Sequence, residues 1–194
     1  MIMTETEKFG MAESVDSKIK THGESFIKIT GEVISRYLYP GTNIEVPGSR
    51  QVDHNLVVDT GAIEIVKYLQ GATTIEAKGA FKYMGIGTTA TAAASINTSL
   101  TGELTGGTPT YARIVAPLTI TTEQPAGTIS KVFTAIATFA QTTATGSNLI
   151  REFGLFDSAL AGTNVLFNRS VFATARDNEN NDLEITYNCT VAPT

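Results

Sequence analysis

The chain has 194 residues, 42% hydrophobic and 17% charged, with a net charge of −5 and a pI of about 5.0. That length allows one domain that buries roughly 70% of its unfolded surface. Basic residues scattered singly argue against a groove that follows nucleic-acid phosphates, one cysteine excludes an internal disulfide framework, and no apolar run approaches the length of a membrane-spanning helix.

In chain order, residues 1–24 mix charges with Gly, Ser and Thr and show no sustained period, so they read as an extended arm. Met1 to Gly10 carries no apolar stretch of the secretion-signal kind. Ser25 to Tyr39 holds Phe26, Ile27, Ile29, Val33 and Ile34 and predicts two short strands broken at Gly31; Pro40-Gly41 and Pro47-Gly48 then punctuate a loop. The expected organisation is therefore an N-terminal arm with short strands over 1–50 and a β-sandwich domain over 51–194.

One helix is expected next. Asp59 or Thr60 can cap it, Ala62, Ile63, Val66 and Leu69 share a face, and Gly71 closes it. Phe81 to Ile86 reads as a strand. The Ala/Thr/Ser tract from Ala90 to Thr110 predicts a long irregular loop or one helical turn, with Ile96, Leu100 and Leu104 as anchors. Tyr111 to Thr122 predicts a strand interrupted at Pro117. Thr128 to Gln141, Leu149 to Phe156 and Asn164 to Thr174 predict three more, separated by short turns. The clearest comes last: Leu183, Ile185, Tyr187, Cys189 and Val191 alternate with Glu184, Thr186, Asn188 and Thr190, one dry face and one wet face. The polar side is repeatedly threonine. The chain has 30 of them, and the branched Cβ suits a pleated surface. The fold class that follows is mainly β: an antiparallel β-sandwich or jelly-roll-like domain with one short helix and an extended N-terminal arm.

Chemistry-bearing residues are few. His22 and His54 lie far apart without partners at metal-ligand spacing. Gly85-Ile86-Gly87-Thr88-Thr89-Ala90 has two glycines of a dinucleotide fingerprint but lacks the third, and reads as a strand-ending turn. Asp177 to Asp182 offers oxygens like a calcium loop but misses its glycine and glutamate, and reads as a hairpin turn. Glu152 and Asp157 fall on opposite strand faces, which disfavours a glycosidase pair. Three Asn-x-Ser/Thr matches, at Asn97, Asn168 and Asn188, read as chance in a threonine-rich chain. Tyr111 and Tyr187 are the aromatics available to a glycan- or receptor-binding site. Cys189 reads as a small buried hydrophobe. No catalytic, cofactor-binding or metal site is assigned, and an enzyme is not expected.

Arg151-Glu152-Phe153-Gly154-Leu155-Phe156-Asp157 is more informative. Gly154 in mid-strand predicts a bulge or a closely approaching backbone. Arg151, Phe153 and Leu155 share one face, Glu152 and Phe156 the other, as in a strand covered on both sides by its own loop or a neighbouring subunit.

In order along the chain come Asn55-Leu56-Val57-Val58, Met84-Gly85-Ile86-Gly87-Thr88-Thr89, Leu100-Thr101-Gly102-Glu103-Leu104, Tyr111-Ala112-Arg113, Ile150 to Asp157, Leu166-Phe167-Asn168-Arg169 and the last alternating strand. Over roughly 51–194 this resembles a group of small β-rich virion proteins of tailed bacteriophages. The resemblance implies a structural subunit of the particle, assembled in the bacterial host cytoplasm. The first expectation is an external capsid decoration or cement protein that latches onto neighbouring subunits; the alternative is a tail, baseplate or fibre-attachment protein. It implies as partners the major capsid protein or tail proteins and further copies of itself, a trimer among them by analogy, with no nucleic acid, membrane or cofactor.

Overall fold

The strand announced by the clearest alternation, Asp182–Pro193, lies inside the sheet, with Leu183, Ile185, Tyr187 and Cys189 turned inward. The structure, a computed structural model, describes residues 17–20, 26–63, 81–105, 112–116, 118–123, 130–141, 149–160, 165–177 and 179–193. Among these are ten strands: β1 (Ser17–Lys20), β2 (Phe26–Leu38), β3 (Gln51–Val57), β4 (Tyr83–Gly87), β5 (Ile114–Val115), β6 (Leu118–Glu123), β7 (Ser130–Phe139), β8 (Ile150–Phe156), β9 (Leu166–Arg176) and β10 (Asp182–Pro193). They form one antiparallel sheet in the order β5-β4-β8-β9-β3-β2-β10-β7-β6, with β1 paired to the start of β2.

Its two ends nearly meet. β5 and β6 lie at opposite edges yet are separated only by residues 116 and 117, and Ala116, fully buried, donates its N–H to Lys82 O at 2.6 Å. The sheet is thus rolled almost into a barrel. The mainly-β, antiparallel class expected from the pattern is what the chain adopts. The two facing layers of a sandwich are here two halves of one curled sheet.

β3 is the corner. Its first five residues pair with β2, and Leu56 and Val57 pair with Arg169 and Asn168 of β9. Where β9 splays away, side chains replace the ladder. Asp53 Oδ1 accepts from Ala173 N at 3.0 Å, Ser170 Oγ donates to His54 O at 3.0 Å, and Arg176 donates to Ser35 Oγ and Ser35 O at 3.0 and 2.9 Å. Buried backbone groups must find partners somewhere, and these polar side chains supply them.

The core fills the space between the halves. Met84, Ile86, Phe153, Leu155 and Phe172 come from one side; Val33, Phe139, Leu183, Ile185 and Tyr187 come from the other. The Phe153 and Tyr187 rings join the halves with centroids 6.0 Å apart. At such tilted spacings aromatic pairs contribute beyond their buried area.

Three expectations are corrected here. β2 is one strand of 13 residues that runs through Gly31, and it lies at the centre of the sheet although it falls within the segment expected to be an arm. Gly31 does not break it: a Cβ there would come within 2.6 Å of Asn55 Nδ2 and 2.9 Å of Asn55 Cβ, so the glycine makes room for the cross-strand side chain. Ile150, not Arg151, joins Phe153 and Leu155 in the core, because the register shifts between Ile150 and Glu152. The helix begins as a turn over residues 59–63, but Asp59 and Thr60 bond to Ser95 and to Leu166 O rather than capping it. The remainder of the expected helix lies outside the described residues.

The predicted loop after β2 is present. Gly41 and Gly48 have φ of 68° and 73°, a region other residues rarely enter. Asp182 ties this loop to its neighbour: Oδ2 accepts from Gly41 N at 2.9 Å and Oδ1 from Gln141 N at 2.7 Å.

Candidate interaction surface

β8 is covered on both faces, as its sequence indicates, and the second cover is the chain's own loop. Residues 88–105 lie across the outer face of β4, β8 and β9. Thr88 N donates to Gly102 O and Leu104 N to Ile86 O, both at 3.0 Å. Leu100 packs with Val58, Phe156 and Leu166 in a small second core beneath the loop. Leu100 and Leu104 anchor the loop as expected, whereas Ile96 is 78% exposed and anchors nothing.

A fully buried ion pair holds this loop. Glu152 of β8 and Arg169 of β9 have no solvent-exposed side-chain surface. Arg169 Nε donates to Glu152 Oε2 at 2.7 Å. Its other nitrogens donate to Thr91 O, Ala92 O and Asn97 Oδ1 at 2.8, 3.1 and 3.2 Å. Glu152 in turn accepts from Gly102 N at 2.7 Å and Thr101 N at 3.3 Å. Withdrawing two charges from water is costly, and only complete hydrogen bonding offsets it. Here the carboxylate serves one end of the loop and the guanidinium the other.

Glycines make the approach close enough. A Cβ on Gly87 would lie 2.5 Å from Glu152 Oε1 and 2.7 Å from Gly102 O; one on Gly154 would lie 3.0 Å from Leu100 Cδ2. The Gly85-Ile86-Gly87 segment thus ends a strand, with the irregular residues 88–94 after it rather than a helix.

A second pair extends the platform. Arg113 grips Glu103 in a fork, Nε to Oε1 at 2.6 Å and Nη2 to Oε2 at 2.8 Å, stacks 3.4 Å above the Phe156 ring, and donates to Ser158 O and Leu160 O. Two tips result. Ile96 sits in a turn closed by Ala94 N to Asn97 Oδ1 at 2.7 Å and by Asp59 N to Ser95 O at 2.7 Å. Leu160, 70% exposed, sits where Arg113 holds its carbonyl. Large apolar side chains on backbone fixed in advance are suited to binding, since little order remains to be imposed.

The other half of the sheet presents a second outer surface. Cross-strand register places Val52, Ile34, Thr186 and Ile136 in one row over β3, β2, β10 and β7. Val52 and Ile136 are about half exposed, at 51% and 48%. Arg36 and Glu184 stand in the next row, bonded at 2.7 Å, with Glu45 on the other side of Arg36 at 3.0 Å. These two carboxylates, Glu184 first, hold the guanidinium more firmly protonated than usual.

The residues singled out by chemistry do not converge. His54 is exposed opposite Glu32; His22 and Tyr111 lie outside the described residues. Tyr187, a candidate for a glycan site, is 1% exposed and belongs to the core. Asp157 Oδ1 accepts from Val165 N. Asp182 is committed to two backbone donors and Asp177 Oδ1 to Glu179 N. Among the described residues no group of three or more His, Cys, Asp or Glu could hold a metal ion. Asn97 and Asn168 point inward to Arg169 and to Leu155 N. The sequence reading missed both arginine–glutamate pairs; the available signal was one acid in the apolar β8 opposite glycine-rich neighbours.

Cys189 is buried beside Tyr187, and burial pushes its thiol up to about 11. A thiol raised from 9.0 to about 11 on folding stabilises the fold fully below the unfolded value. That contribution is lost as pH rises through this window, because the unfolded chain then sheds the proton first. Ellman's reagent at about pH 8 is expected to leave the native chain unlabelled and to react only on unfolding. The denaturation midpoint should fall between pH 9 and 11. Immediate stoichiometric labelling would contradict the burial.

No protein-family model matches this chain, and no curated protein or solved structure shows significant similarity to it.

Proposed function

We propose that this chain is a structural subunit of a tailed-phage virion, an external capsid decoration protein that acts by adhering to its neighbours and catalyses no reaction. The observation that carries this reading is the use made of buried charge. Two arginine–glutamate pairs are spent on fixing loops 88–105 and 157–160 against the sheet, where they display Ile96 and Leu160 to solvent. Buried ion pairs add little net stability, and their best-attested benefit is fixing one arrangement. A fixed apolar tip serves a protein that must dock on a lattice. The resemblance read from the motifs of residues 51–194 points the same way, as does the low-charge, threonine-bearing outer face.

The test is localisation. Phage particles carrying the chain with a gold-labelled C-terminus, imaged by negative stain, should show label over the whole head. Label confined to the tail would replace decoration with a tail, baseplate or fibre-attachment role. Unlabelled particles would remove the virion reading altogether.

A further inference from the structure

Beyond the platform, the outer face of β3, β2, β10 and β7 has the features of a surface made to meet its own copy. The central row, Val52–Ile34–Thr186–Ile136, bears no charge across four strands. Beside it on one side stand Arg36 and Glu184, and on the other Glu32 and Asn188. Charge depletion at the centre of a patch, with charge at its margin, is the composition of an interface core and rim.

We propose that this face packs against the same face of a second copy of the chain. The inference rests on the structural-subunit reading and names the surface used. A two-fold axis can lie in this face along the strands, between β2 and β10, or across them, through the central row. The first sets Arg36 of one copy opposite Glu184 of the other and Val52 opposite Ile136. The second sets Arg36 opposite Glu32 and Ile34 opposite Ile34. In both, every arginine meets a glutamate and every apolar side chain in the row meets an uncharged one, the self-complementarity that an isologous contact requires.

The size fits a reversible dimer. Four strands spaced about 4.8 Å and three rows about 6.7 Å apart span roughly 19 Å by 20 Å. That is on the order of 400 Å² on each copy, so about 800 Å² in all, the size of a weak, transient contact.

Sedimentation equilibrium of the full chain, followed up to the millimolar range, tests this. The wild type is expected at about 41 kDa, twice the 20.6 kDa chain mass. Ile34→Asp should sediment at the single-chain mass with unchanged far-UV circular dichroism, and Ile96→Asp, on the other platform, should remain dimeric. A monomeric wild type, a folded Ile34→Asp that stays dimeric, or an Ile96→Asp that dissociates would each overturn the proposal. The two readings fail separately. A monomer that still decorates heads removes this contact alone, whereas a dimer that labels no particle removes the virion role alone.

Discussion

Replacing Arg169 with methionine is expected to lower the unfolding free energy by about 3–5 kcal/mol in a urea titration, the cost of leaving one member of a buried ion pair alone. Methionine fills similar space but donates nothing. Glu152 would keep its bonds from Thr101 and Gly102 and lose its counter-charge, while Thr91 O, Ala92 O and Asn97 Oδ1 would lose their donor. The loop should therefore loosen locally as well as globally, so amide exchange at Gly102 should accelerate more than exchange in β10. Adding Glu152→Gln should cost much less than the two single losses summed, because the orphaned charge disappears. A loss below about 1 kcal/mol for Arg169→Met would mean that the pair is not desolvated as described.

Gly87→Ala is expected to cost about 2–3 kcal/mol by the same titration, large for one added methyl group. The new Cβ would press on Glu152 Oε1 and on Gly102 O, which itself accepts from Thr88 N. The carboxylate cannot yield while Arg169 holds it. In the Arg169→Met background it can rotate, so the methyl should cost less there. A double-mutant cycle measures that difference, and strict additivity would count against a shared constraint. Ile96→Asp is a suitable surface control, since its side chain is 78% exposed.

What the sequence revealed and what it hid follow from where polar residues stand. β10 was legible because every inward position from Leu183 to Cys189 is apolar. β8 was legible as a strand covered twice because Phe153, Leu155 and Phe156 cannot all face one side. β3 was illegible, since its inward positions are Asp53, Asn55 and Val57. Two polar residues on a buried face erase the alternation, and Asp53 stands there because the corner needs it to replace a ladder bond with β9. Gly31 looked like a break because a missing side chain reads alike whether the chain turns or a neighbour needs the room. Glu152 and Arg169 are 17 residues apart, and nothing in that spacing marks them as partners. Only the register of β8 on β9 and the loop laid over both make them a pair. The near-closure at Ala116 was likewise beyond a one-dimensional pattern, because it depends on which strands form the two edges.

The placement of β10 between β2 and β7 also bears on how this topology is reached. Asp182 sits opposite Leu38 and Leu183 opposite Phe139, so the longest ladder in the molecule joins segments that are far apart along the chain. Nearest-neighbour hairpins such as β6–β7 and β8–β9 close cheaply, but β2 must wait for a distant strand before its open side is filled. Long-range pairing of this kind slows acquisition of the native state into the millisecond-to-second regime. During that interval the uncovered borders of β2 and β7 are both available. Any equivalent stretch of another molecule competes for the slot, and dilute refolding conditions therefore favour the correct product over intermolecular strand exchange.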